Sequence, residues 1–178
     1  MSTAKMARLA IMTALALILS FVDSLIPLDF AAPGVKLGLA NTVLLYAVYL
    51  TRPREAVLLM TLKVILSSLL FGFSQFPYSL AGGVLSLLAM LTARKLRFHS
   101  VTVSITGSVA HHIGQIAVAA VITSTTLLVV YLPVLMVVGV LTGTATGLTA
   151  KHVMRALAAG DTHIREGLTG TDILPRHK

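Results

Sequence analysis

The sequence predicts an all-α integral membrane protein, a bundle of six transmembrane helices with both termini in the cytoplasm. Three observations lead there. Apolar residues make up 56% of the 178 residues and charged residues only 11%, against about 25% charged in a soluble domain, and the mean hydropathy is +0.92. Long apolar stretches alternate with short segments rich in Pro, Gly or charge. The basic residues also alternate between loops: Lys5/Arg8, Arg52/Arg54, Arg94/Lys95/Arg97 and Lys151/Arg155 fall on one side, while the opposite loops hold only Lys36 among Lys and Arg. Lys and Arg gather in cytoplasmic loops, so the location predicted is the cell membrane, multi-pass, of the bacterial inner-membrane type.

The elements follow in order. Met1–Arg8 is a basic start. Leu9–Val22, with the residues before it, is the first helix, and no small-residue cleavage site follows, so it stays as a helix. Ala10 and Ala14 lie four apart, a spacing that lets another helix approach closely. Asp23–Lys36 is a loop broken by Pro27 and Pro33–Gly34, yet apolar enough to dip into the interface or fold over the bundle. Leu37–Leu50 is a second helix, too short for the roughly 20 residues of a full span, with Asn41 toward its outer end. Thr51–Glu55 turns into the third helix, Ala56–Phe71, which contains Lys63. Gly72–Tyr78 is an uncharged outer loop, Ser79–Ala93 the fourth helix, and Arg94–His99 a basic turn. Val101–Ser124 is the fifth helix. A tight turn at Thr125–Thr126 leads to the sixth, Leu127–Ala150, which contains Pro133. Gly139, Gly143 and Gly147 make two overlapping GxxxG spacings there, a sign of tight helix packing. Residues 1–157 form one transmembrane domain, and 158–178 read as a mobile cytoplasmic tail.

The polar groups least suited to such a chain are His111, His112 and Gln115. They sit in a run with no charged residue from Val101 to Ala150. Polar side chains at membrane depth tend to face the protein interior and mark sites. On a helix, Ser108, His112 and Gln115 share a face, while His111 lies about 100° away beside Gly107 and Gly114. The alternative is that both histidines simply hydrogen-bond to neighbouring helices. Lys63 lies about 14 Å from Arg54 along its helix and His111 about 20 Å from Arg97. No carboxylate lies inside a predicted span, so an anionic ligand is a candidate partner for Lys63; the alternative is that Asp23 or Asp29 folds in to meet it.

Several classes are excluded. The chain has no cysteine and therefore no disulfide or thiol chemistry. Its six acidic residues include no aspartate cluster for Mg²⁺, and no GxxxxGK[ST] loop is present. Adjacent histidines on a helix diverge and no acidic or thiol ligand joins them, so no metal, no cofactor and no catalytic residue is predicted. The net charge of +8 follows from topology, not from nucleic-acid binding.

Five segments carry a resemblance: PGVKLGLANTVLLYAVYL at Pro33–Leu50, LLFG at Leu69–Gly72, SLAGGVLSLLAM at Ser79–Met90, AHHIGQIAVAA at Ala110–Ala120 and LPVLMVVGVLTGTATG at Leu132–Gly147. Together they resemble the small membrane family labelled "heptaprenyl diphosphate synthase component I", also called Gx transporter proteins. That family in turn resembles the substrate-binding S components of energy-coupling factor (ECF) vitamin transporters. The resemblance implies six helices with both ends inside, a ligand in the outer half capped by loops, and an AxxxA face on the first helix, here Ala10–Ala14, that docks a transmembrane partner. Prenyl diphosphate synthases use aspartate-rich Mg²⁺ sites, which this chain lacks, so on the enzyme side the resemblance implies a non-catalytic membrane subunit.

The function predicted is transmembrane transport of a small molecule, by an S-component-like binding subunit or a small standalone transporter. The ligand enters near Lys36, Asn41, Gln75 and Tyr78. Lys63 neutralises an anionic group, phosphate or carboxylate, of a vitamin- or isoprenoid-like compound. His112 and Gln115 supply hydrogen bonds, with His111 beside them. ECF-type transmembrane and ATPase subunits, or a second copy of the chain, are the protein partners.

Overall fold

The computed structural model describes residues 3–26 and 38–174. Among the described residues the chain is helical, with seven α-helices: α1 (Thr3–Ser24), α2 (Asn41–Leu50), α3 (Pro53–Phe71), α4 (Phe76–Lys95), α5 (Ser100–Thr123), α6 (Leu132–Gly160) and α7 (Thr162–Gly167). Short 3₁₀ turns precede α4, at Phe73–Gln75, and α6, at Thr126–Tyr131. Among the described residues four segments are long and apolar enough to cross a membrane: Lys5–Ser24, Phe73–Lys95, Ser100–Thr123 and Leu127–Gly160. The ten residues of α2 span only about 15 Å, and α3 carries Arg54, Glu55 and Lys63.

Proline sets where three of these helices begin. Pro53, Pro77 and Pro133 each sit in a first turn, where the missing N–H would have had no partner and the fixed φ suits the helix. The sequence reading put Pro133 inside a helix starting at Leu127. Instead the chain runs as a 3₁₀ turn to Tyr131 and the α-helix starts at Leu132. The loop expected at Gly72–Tyr78 is likewise shorter, because α4 begins at Phe76. Asp23, expected in the first loop, belongs to the last turn of α1 and is buried.

Consecutive long helices alternate in direction, and α5 is the hub, packing most extensively on α4 and α6 and also touching α2. The glycine ridge of α6 lies along α5. A Cβ at Gly143 would stand 2.7 Å from the Ile105 Cα, one at Gly147 2.8 Å from the Ser104 Cβ, and one at Gly139 2.9 Å from the His112 ring. The Ser104 and Thr146 hydroxyls hydrogen-bond across this contact at 3.0 Å.

One end of the bundle gathers the beginnings of α1, α3 and α5 and the ends of α2, α4 and α6. Lys5 lies 4.0 Å from Glu55, and the Arg94 guanidinium donates to the Val48 carbonyl and stacks 5.1 Å over the Tyr49 ring. We call it the basic end. The segment after Leu157, which reads in sequence as a mobile tail, packs there: α6 continues to Gly160, and Leu168 and Ile173 are fully buried (0% exposed) in the main apolar cluster with Met154 and Ala158. The short helix α7 packs against α6 and α2 there.

Candidate functional site

The interior is not apolar throughout. On α5, Val103 belongs to the large apolar cluster at the basic end, and Ile116 to a small one with Leu135, Leu128 and Leu132. Between them the buried residues of α5 are Ser104, Gly107, Ser108, His111, His112, Gly114 and Gln115. A belt of polar groups thus interrupts the core. His111 lies about 17 Å along α5, Asn41 about 14 Å from the end of α2, and Lys63 about 15 Å along α3, so the three helices deliver them at similar depth.

Asn41 and Lys63 face one small space, and His111 lies close to Asn41 across Gly38. Asn41 and Lys63 line a void of about 10 Å³ with Ala16, Ala40, Met60 and Gly83, room for roughly one water molecule. Gly38 lies between Asn41 and His111: a Cβ there would stand 3.0 Å from Asn41 Nδ2 and 3.5 Å from the His111 ring. Gly38 has φ +80°, a conformation that side chains disfavour, and it makes the turn from which α2 starts. On the other side, Gly82 of α4 receives the His111 ring so closely that a Cβ would stand 2.7 Å from it. The Asp23 carboxylate reaches in from α1 and accepts the Leu39 backbone N–H at 2.8 Å. An anion at the start of a helix is electrostatically favoured, so Asp23 holds the beginning of this half-length helix inside the bundle.

His112 turns the other way, to α6 and Gly139, with its ring centroid 6.1 Å from that of His111. It is 0% exposed, and Gln115, one turn on, is 1% exposed. Gln115 lies near enough to His112 for a weak side-chain interaction, but among the described residues no hydrogen bond of good geometry reaches either ring nitrogen of His112, Gln115 Oε1, Asn41 Nδ2, Ser86 Oγ or Ser20 Oγ. Each such buried group costs about 1–3 kcal/mol. Ser86 lies one turn beyond Gly82 on α4, and Ser20 one turn beyond Ala16 on α1.

The remaining sequence-derived candidates are spread more widely. Tyr78 is buried in the first turn of α4, one turn before Gly82, and Gln75 is half-buried on the preceding 3₁₀ turn. Lys36 and Asp29 lie outside the described residues. Ala10 and Ala14 are exposed on α1 beside Ile11, Leu15 and Ile18. Among the described residues no group of three His, Cys, Asp or Glu side chains gathers as metal ligands do. Sequence reasoning did not place Gly38, Ser20 or Ser86 in the belt. For Ser86 a signal existed, since Tyr78, Gly82 and Ser86 recur every four residues on one face of α4.

A second polar cluster lies at the basic end, and no feature of the sequence announced it. Asp172 accepts hydrogen bonds from the Ser100 backbone N–H at 2.8 Å, the Ser100 hydroxyl at 3.0 Å and the Lys151 ammonium at 2.7 Å. Burial alone would raise its carboxyl, but the hydrogen bonds from Lys151 and Ser100 outweigh it and hold the group below the usual carboxylate range. The Arg155 side chain donates to the Ile173 carbonyl.

A protein-family model described as heptaprenyl diphosphate synthase component I matches residues 12–153. No curated protein and no solved structure matches the chain. The matched stretch contains the whole polar belt and ends before the segment that carries Asp172.

Proposed function

The chain belongs to the heptaprenyl diphosphate synthase component I family, and we propose that it is a non-enzymatic membrane subunit that binds a small molecule in the polar belt and passes it across the bilayer. One observation carries this reading: buried polar groups with unmet hydrogen bonds lie within an apolar bundle, and one of them, Asn41, lines a small void together with Lys63. A site of this kind is destabilised when empty and gains when a ligand supplies the missing partners. The Lys63 ammonium and the interrupted helix α2, whose start carries positive dipole character, favour an anionic group, phosphate or carboxylate. Asn41 and His111 add directional hydrogen bonds, and His112 with Gln115 extends the polar lining toward α6. Tyr78, Gln75 and Lys36 line the way in. The compound is vitamin- or isoprenoid-like.

In this reading six helices cross the cell membrane, α2 as a half-span, and the basic end faces the cytoplasm with both termini, in keeping with the bias of Lys and Arg. The subunit resembles an ECF S component. The exposed Ala10–Ala14 strip of α1 docks a transmembrane partner, and separate ATPase subunits or a second copy complete the assembly. The void holds only about one water, so binding requires helices α1 to α4 to part.

Native mass spectrometry of gently purified protein tests this. A small anionic compound should be carried by the wild type, lost in Lys63→Met and Asn41→Leu, and kept in Ala14→Trp, which should lose the protein partner instead. Retention of the compound by both belt variants would overturn the assignment. The family description favours a second reading, a non-catalytic membrane subunit of a prenyl diphosphate synthase. Co-purification of a soluble synthase subunit with no small molecule in the bundle would select it.

A further inference from the structure

We propose that residues 161–173 form a latch that holds the basic end of the bundle shut, fastened by Asp172. The segment lies outside the family-matched stretch, and the inference does not depend on what the polar belt binds. Asp172 ties two helices at once, since Ser100 is the first residue of α5 and Lys151 belongs to α6. Its carboxylate also sits at the start of α5, where a negative charge meets the positive helix end. Arg155 of α6 grips the next residue through the Ile173 carbonyl. Leu168 and Ile173, both fully buried, join the apolar cluster that includes Val48 and Tyr49 of α2, Val103 of α5 and Met154 of α6.

The strap therefore connects α2, α5 and α6 at the end where they would separate for the interior to open on that side. Polar bonds at its rim and two apolar anchors beneath make it a single fastening. Removing the Asp172 charge should release the rim while the helices stay folded, because their long interfaces lie elsewhere: α5 meets α6 along the glycine ridge and α4 around Gly82 and Gly107.

The absence of cysteine from the chain makes the test direct. A single Val103→Cys substitution places a thiol on a fully buried residue behind the strap, and Ile116→Cys does so in the other apolar cluster. Thiol-reagent labelling rates are measured on the full-length protein in detergent, with and without Asp172→Asn. Labelling at position 103 should become about tenfold faster with Asp172→Asn, the loss of one charge-assisted hydrogen bond, and labelling at position 116 should not change. Ser100→Ala, which keeps the backbone and Lys151 bonds to Asp172, is the milder probe and should give a smaller increase at position 103 alone. Unchanged labelling at position 103 in both variants would overturn the latch. So would an equal increase at positions 103 and 116, which would mean the strap supports the whole fold.

Discussion

The two polar clusters of this protein differ in one respect. At the basic end, Asp172 is met by three donors within 3.0 Å. In the belt, His112, Gln115, Asn41 and Ser86 are buried with polar atoms unpartnered among the described residues. The two regions share a bundle and border the same apolar cluster. A satisfied buried network fixes a conformation, whereas unsatisfied groups raise the energy of the empty state and leave something for a ligand to supply. The first is therefore read as structure and the second as a site.

Substitutions can break or sharpen that contrast. The largest effect is expected at the apolar anchor of the satisfied end. Leu168→Ala should lower unfolding stability by about 2–5 kcal/mol, the usual cost of emptying a buried leucine position. Thermal unfolding in detergent measures it, and a change near zero would mean that the strap adds little to the fold. Next is the seam that joins the two regions. Gly143→Val places a side chain against the Ile105 backbone and should cost about 1–3 kcal/mol by overpacking, with the Ser104–Thr146 hydrogen bond strained as α5 and α6 are pushed apart.

The belt should respond with the opposite sign. His112→Leu and Asn41→Leu remove unpartnered polar groups, so apo stability should hold or rise by up to about 1 kcal/mol, while ligand binding falls. Destabilisation by either would show that these groups have structural partners, and the contrast with Asp172 would collapse. The smallest effect is the pH response of the satisfied end. The Asp172 carboxyl is held below its usual range, so its stabilising contribution is complete above the unfolded carboxylate pKa, about 3.9, and is lost as pH falls through the lower folded value. The gap in melting temperature between wild type and Asp172→Asn should therefore be constant from neutral pH down to about 5 and close in stronger acid.

How much of this was legible depended on the signal each part leaves in the chain. A helix shows itself through runs of apolar residues and through Pro and Gly at its limits, so the helices were read with their ends displaced by a few residues. The largest displacement was at the end of α6, which runs past Ala150 to Gly160; at Leu127 a continuous apolar run concealed the change from 3₁₀ turn to α-helix that Pro133 marks. The belt residues on α5 were conspicuous because His and Gln are rare in such a run. Asp172 was not, because one acidic residue in a polar segment looks like any solvated charge.

The sequence by itself determined the all-helical class with helices apolar enough to span a membrane, the gathering of basic residues and the polar character of the α5 interior, because hydropathy, loop charge and residue type are properties of the chain alone. Tertiary structure decided the rest. It turned His111 toward α4 and α2 and His112 toward α6, set the glycine ridge of α6 against α5 within the same chain, and folded the expected tail into the basic end. These depend on which surfaces meet, and a contact between residues as distant as Ser100 and Asp172 exists only once the helices between them have packed.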